Sequence, residues 1–133
     1  KETRMDEKKL IRAATEARKN AYTPYSKFKV GASLLLDEGT VVSGCNIENA
    51  SYGATICAER VAIVKAMSEK PGAGIEALAV VTDSEPPAPP CALCLQVMAE
   101  FCGPETLVIL ESTSGSRRSF RFNELLPHPF TDF

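Results

Sequence analysis

Three cysteines and a glutamate stand where the chain pattern gives them chemistry to do. Cys57 and Glu59 lie two apart in "TICAER", and Cys91 and Cys94 form a C-x-x-C in "PPCALC". Each group falls where an apolar helical pattern begins. Backbone N–H groups at a helix start lack intrahelical partners and the helix dipole is positive there, so thiolate is favoured over thiol. Two such helices docked side by side would gather three soft anionic ligands. That set suits zinc, with Zn–S near about 2.3 Å.

Counting ligands sharpens the reading. A closed structural zinc site takes four protein ligands, and this chain offers three in suitable spacing. The single histidine, His128, lies between Pro127 and Pro129, out of ligand spacing with the cysteines. Three protein ligands with an open fourth position is the arrangement of a catalytic zinc, whose bound water falls in pKa from about 15.7 to about 7. Glu59, two residues past a ligand, would reach that water without binding metal and carry its proton to a substrate. Arg60 would hydrogen-bond the sulfurs and offset the net negative charge that three thiolates leave on a divalent cation. Plainer readings are a thioredoxin-like redox pair, three buried fillers, or a structural zinc completed by Cys45 or Cys102. Glu59 could equally be a solvated first-turn acid, and Arg60 an exposed helix arginine. The redox reading leaves Cys57 and Glu59 without a role.

The elements that must position these groups are legible in the apolar pattern. Leu10, Ala14, Ala17 and Ala21 make a helical stripe over residues 5–20. "FKVGASLLLD" and "TVVSGC" read as a hairpin around "DEGT", and "IEALAVV" as a short buried strand. One helix should begin near Cys57 and end before Pro71, and another near Cys91, ending at Gly103. "TLVIL" and "SFRF" are the last strands, and "NELL" is a helical turn cut off by Pro127. The proline-rich "DSEPPAPP" must be an ordered or extended loop. Alternating strands and helices imply a layered α/β domain with helices on both faces of one mixed sheet.

Composition narrows the function classes. The chain has 133 residues, 44% of them hydrophobic, which is enough for one real core. A net charge of -2 offers no basic field for a phosphate backbone, so nucleic acid is not the expected partner. No apolar run is long enough to span a bilayer, and "KETRMDEKK" is not a secretory signal, so the expected location is cytoplasmic. Five cysteines, an odd count, argue against a disulfide framework, and Cys45 and Cys102 read as small packing residues.

"FKVGA", "GCNIENASYGATICAER", "PCALCLQVM" and "ELLP" occur in that order over nearly the whole chain, and together they resemble the small homotetrameric cytidine deaminases of pyrimidine salvage. The zinc-deaminase pattern of a ligand-x-Glu followed by Pro-Cys-x-x-Cys appears as "CAE" and "PCALC". The resemblance implies a single domain over residues 1–133, a three-layer α/β/α sandwich on a mixed, about five-stranded sheet. It implies one zinc per chain and hydrolysis of cytidine and 2′-deoxycytidine to the uridine product and ammonia. It also implies a homotetramer with sites at subunit interfaces.

Site roles follow from the same resemblance, residue by residue. Cys57, Cys91 and Cys94 match the zinc ligands, Glu59 the proton shuttle and Arg60 the arginine that bonds the ligand sulfurs. Asn46 and Glu48 match the pair that holds the ribose hydroxyls, and Phe28 the aromatic packed on the pyrimidine. Ala58 joins the substrate-binding residues. Ala50 and Tyr52 match positions that reach a neighbouring subunit's site, and Phe130 an aromatic donated from another subunit. The residues themselves are compatible with this: Asn and Glu two apart in an extended segment face one side, and Phe130 and Phe133 are hard for a monomer to bury. Two departures stand out. Where relatives read Cys-Gly-x-Cys-Arg-Gln, this chain reads Cys91-Ala92-Leu93-Cys94-Leu95-Gln96. Leu95 removes a cation beside a ligand, so charge compensation leans on Arg60. The nearest alternatives are a deaminase of modified or antibiotic cytosine nucleosides and a non-catalytic zinc-stabilised binding module.

Overall fold

The computed structural model of the chain describes residues 6–132. In order, the elements are α1 (Glu7–Arg18), β1 (Gly31–Leu36), β2 (Val41–Cys45), α2 (Ala58–Glu69), β3 (Ile75–Thr82), α3 (Ala92–Phe101), β4 (Cys102–Ser112), β5 (Arg117–Arg121) and α4 (Phe122–Leu125). A 3-10 turn spans Tyr52–Ala54. The strands form one sheet in the order β2-β1-β3-β4-β5. Only β3 and β4 pair in parallel; the other neighbours are antiparallel. The expected α/β sandwich on a mixed five-stranded sheet is what forms.

Strand alternation sorts the core into two layers. Ala77, Ala79 and Val81 of β3 and Ile109 of β4 pack beneath Leu10, Ile11 and Ala14 of α1. Leu78, Val80, Val108 and Leu110 point the other way, to Ala58, Ala62, Ile63 and Ala66 of α2 and Met98 and Ala99 of α3. Helix α1 starts on an Asp6 cap that accepts the Lys9 N–H at 3.1 Å. Its buried stripe takes in Ile11, leaves Ala17 half-buried and leaves out Ala21, which lies past the helix end.

Close approach of helix to sheet sets the geometry on both faces. A Cβ on Gly31 would stand 1.9 Å from the Ala14 carbonyl oxygen. On the other face a Cβ on Gly44 would meet the Ala62 nitrogen at 2.7 Å and Val61 Cγ1 at 2.9 Å. Alanines at 58, 62 and 66, all fully buried, let α2 lie this near to β2. That contact fixes where α2 begins, and so where Cys57 sits.

Several boundaries differ from expectation: α3 ends at Phe101, before Gly103, β5 starts at Arg117, ahead of "SFRF", and α4 takes in Phe122. The first strand starts at Gly31, not at Phe28, because the backbone just before it bonds to a side chain: Val30 N–H donates to Asn46 Oδ1 and Phe28 C=O accepts from Asn46 Nδ2. The fourth strand begins at Cys102, directly after α3, and is longer than "TLVIL". Its register against β3 slips between Ile75 and Ala77, which absorbs the added residues. Cys102 packs against the core and burial pushes its thiol up to about 12, while burial also raises the half-buried Cys45. Among the described residues no helix is long and apolar enough to cross a membrane.

Gly44→Ala should shift α2 outward. Urea denaturation is expected to show a loss of about 1–3 kcal/mol; an unchanged midpoint would mean that α2 has room to move.

Candidate active site

Cys57 and Cys91 are the N-cap residues of α2 and α3, and neither side chain caps its own helix. Both sulfurs are therefore left to face one another, with Cys94 one turn further along α3. Cys57 Sγ lies 4.0 Å from Cys91 Sγ, which lies 3.7 Å from Cys94 Sγ, and all three fall within 4.8 Å of one another. Three sulfurs about 2.3 Å from a common centre in tetrahedral geometry would stand about 3.8 Å apart. Two edges of the triangle, at 4.0 and 3.7 Å, match that spacing, and the third lies within 4.8 Å. Cys94 is buried, Cys57 half-buried and Cys91 exposed, so the open side lies at Cys91.

The charges around the triangle are ordered. Arg60 Nη2 donates to Cys57 Sγ at 3.5 Å and to the Thr55 carbonyl at 3.4 Å. A hydrogen bond from the Cys94 thiol, then the Arg60 guanidinium, draws Cys57 down to about 5. Cys94 moves up, because it donates to Cys57, is desolvated and faces the negative charge of Glu59 and Cys57. Arg60 Nε is buried and has no acceptor among the described residues. Glu59 is 5% exposed, which removes the reading of a solvated first-turn acid. Burial, with the Cys57 charge adding, pushes its carboxyl up to about 7. A carboxyl poised near neutrality can both take and give a proton.

Glu59 lines a cavity of about 190 Å³ with Cys57, Cys91, Ala58, Phe28 and Asn46. Val80 and Thr82 also line it, which places the cavity at the carboxyl end of β3, where ligands bind in open α/β sheets. Ala88 and Pro89 add a wall from the proline-rich loop, which is anchored through Glu85 to Ser114 and Ser116. Glu48 and Tyr52 line an adjoining depression with Tyr25, Ser26, Asn49 and Thr55, and Thr55 is common to both. Ala50 is exposed outside these two hollows. Phe130 is 64% exposed, and its carbonyl accepts from Gln96 Nε2 at 2.8 Å, tying the tail to α3. Phe133 lies outside the described residues. Thr82, Val80 and Ser26 escaped the sequence reading. The end of the buried strand "IEALAVVT" was the available signal for the first two, since the carboxyl ends of strands face the helix starts.

Among the described residues no fourth His, Cys, Asp or Glu joins the three cysteines in metal-binding range, so a closed structural site is not formed. One ligand short of closure, with the buried Glu59 carboxyl alongside, the centre is that of a zinc-dependent hydrolytic deaminase. Comparison with known proteins narrows the class. The family profile for the cytidine and deoxycytidylate deaminase zinc-binding region matches residues 4–111. The cytidine deaminase of Halalkalibacterium halodurans is 51% identical over 127 residues, covering 96% of both chains. That of Sporosarcina psychrophila is 48% identical over 127 residues, covering 96% of this chain and 93% of its own. A crystal structure of cytidine deaminase from Burkholderia pseudomallei superposes with a TM-score of 0.90 at 45% identity, covering 95% of this chain and 100% of that one. The chain belongs to the cytidine deaminase family.

The raised Glu59 carboxyl has a signed consequence in metal-free protein. Its folded pKa of about 7 exceeds the ordinary 4.5, so its contribution to stability is full below pH 4.5 and is lost as pH rises through 7. Glu59→Gln in chelated protein should be more stable than the parent at pH 8, by on the order of 3 kcal/mol, and equal to it near pH 4. Thermal melts at the two pH values decide it; a gain independent of pH would refute the buried-charge account.

Proposed function

We propose that the chain hydrolyses cytidine, and 2′-deoxycytidine, to the uridine product and ammonia. The observation that carries this is the buried Glu59 lining one small cavity with two of the three thiol ligands and an aromatic ring. Zinc bound by Cys57, Cys91 and Cys94 supplies a water acidified to about 7 and so nucleophilic near neutral pH. The protons are Glu59's work. Its carboxylate takes a proton and places it on N3 of the pyrimidine, which makes C4 electrophilic. After C4–O forms, the same carboxylate carries the second water proton to the exocyclic amine, C4–N4 breaks, and ammonia leaves. Two protons leave one water; N3 keeps one and ammonia the other.

Phe28 offers its ring to one face of the base, and Ala58 lines the cavity between ligand and shuttle. Asn46 uses one amide N–H and one lone pair within the fold, leaving a donor and an acceptor; Glu48 accepts three hydrogen bonds and keeps a fourth acceptor site. A donor beside an acceptor suits sugar hydroxyls. This favours a nucleoside with an unmodified ribose over one with an altered sugar. Because 2′-deoxycytidine presents the same base to Glu59, both nucleosides fit the chemistry.

The assembly we infer is a homotetramer with sites at subunit interfaces. Tyr52 is 80% exposed, and Leu93, Tyr22 and Val64 are also open large apolar side chains. Tyr52 beside the sugar-side depression would complete a neighbour's site, as would Phe130 and Ala50. Thiol ligands need a reducing compartment, which supports the cytoplasm.

Glu59→Gln should keep one zinc per chain yet lose about 10²–10⁴-fold in turnover of cytidine, followed by the fall in ultraviolet absorbance. Near-normal turnover by the zinc-loaded variant would remove Glu59 from the mechanism. Sedimentation equilibrium should give four times the chain mass of 14.3 kDa; a monomer with full activity would exclude donated residues.

A further inference from the structure

Phe28 sits outside regular structure, yet its backbone is held on both sides. Its carbonyl accepts from Asn46 Nδ2 at 2.8 Å, and its N–H donates to Ser26 Oγ at 3.0 Å. Ser26 Oγ in turn donates to the Glu48 carboxylate, which also accepts the N–H groups of Tyr25 and Ser26 at 3.0 and 3.1 Å. Asn46 Oδ1 takes the Val30 N–H at 2.9 Å, so its carboxamide bridges residues 28 and 30 as a strand partner would. The amide orientation is set by these partners, a donor on one side and an acceptor on the other. Asn46 is only 8% exposed, which makes the bridge a buried and obligatory one. Just before Phe28, Lys27 has φ of 62°, a left-handed conformation that costs about 1 kcal/mol or more in a residue with a side chain and persists where neighbours fix it.

We propose that Asn46 and Glu48 are positioning residues for Phe28: beyond any contact with sugar, they brace the loop that sets the ring against the base, so that base packing and sugar binding share one support. A side chain serving only the sugar would not need to bridge the Phe28 carbonyl and the Val30 N–H, as Asn46 does, or to hold the serine that takes the Phe28 N–H, as Glu48 does. The reach is also long in sequence, from Asn46 back to Phe28 and Val30 and from Glu48 back to Tyr25 and Ser26. This inference rests on the cytidine reading above.

The test is a double-mutant cycle on zinc-loaded protein with cytidine as substrate. Asn46→Asp keeps the acceptor for Val30 and removes the donor to Phe28. It should raise KM about tenfold when Phe28 is present and by less than about threefold when Phe28 is replaced by Ala, with zinc content unchanged. Equal factors in the two backgrounds would overturn the proposal and leave Asn46 a sugar contact only. Ser26→Ala cuts the tie to the Phe28 N–H without altering either residue assigned to the sugar, and should show the same dependence on Phe28; it decides the matter alone if Asn46→Asp does not fold. A zinc-loaded parent that leaves cytidine untouched would defeat the functional reading instead. Amide exchange then still reports the brace: Phe28 should exchange faster in Ser26→Ala, and unaltered exchange would overturn it.

Discussion

Three sulfurs within 4.8 Å of one another are the constraint on which the remaining features depend. Two unit negative charges about 4 Å apart repel by about 4 kcal/mol at an effective dielectric near 20, and a triangle has three such pairs. No arrangement of protein groups short of a divalent cation lets all three ionise. The metal-free chain therefore shares protons unevenly: Cys57, beside Arg60, releases its proton first, and the buried Cys94 holds its own. A cation at the centre reverses this and binds the two helix starts together. Metal affinity and the docking of α2 on α3 are one equilibrium seen from two sides.

Glu59 depends on the same centre. Desolvation raises its carboxyl, and the negative charge of Cys57 raises it further. Its poise near neutrality is thus partly a property of the ligands beside it. Leu95 bears on this balance. It packs against the core cluster and presents no charge to the sulfurs, which leaves Arg60 as their guanidinium partner. The neutral residue trades electrostatic compensation for packing of α3 on the sheet.

The metal ligands were legible in the sequence because their chemistry is local. A cysteine at a helix start and a C-x-x-C one turn long announce themselves through spacing, and the sulfur triangle follows once two helices lie side by side. Most of the sheet was legible for the same reason, β1, β3 and β4 each carrying its own apolar run. What escaped notice is made by long-range hydrogen bonds. Nothing in "FKVGA" shows that Phe28 stands outside the strand, since the group that holds it is the side chain of Asn46. The roles proposed for Asn46, Glu48, Ala50 and Tyr52 rest on resemblance, because hydroxyl binding and contact with a neighbour would leave no periodic trace. Ile11 in place of Ala21 on the buried stripe of α1 reflects the helix ending at Arg18, which the stripe pattern alone did not mark.

Strand β5 closes one side of the sheet with the sequence Arg117-Arg118-Ser119-Phe120-Arg121. Arg117 is paired with Glu111 and Glu7, whereas Arg118 lies over the Phe120 ring at 5.0 Å and Arg121 bonds a backbone carbonyl. A second chain laying its own β5 alongside in an antiparallel ladder would set these cations against their counterparts. Like charges directly opposite are destabilising, and charged edges are how natural sheets resist extension. The edge is in this way guarded against runaway strand addition, the route by which exposed sheets aggregate.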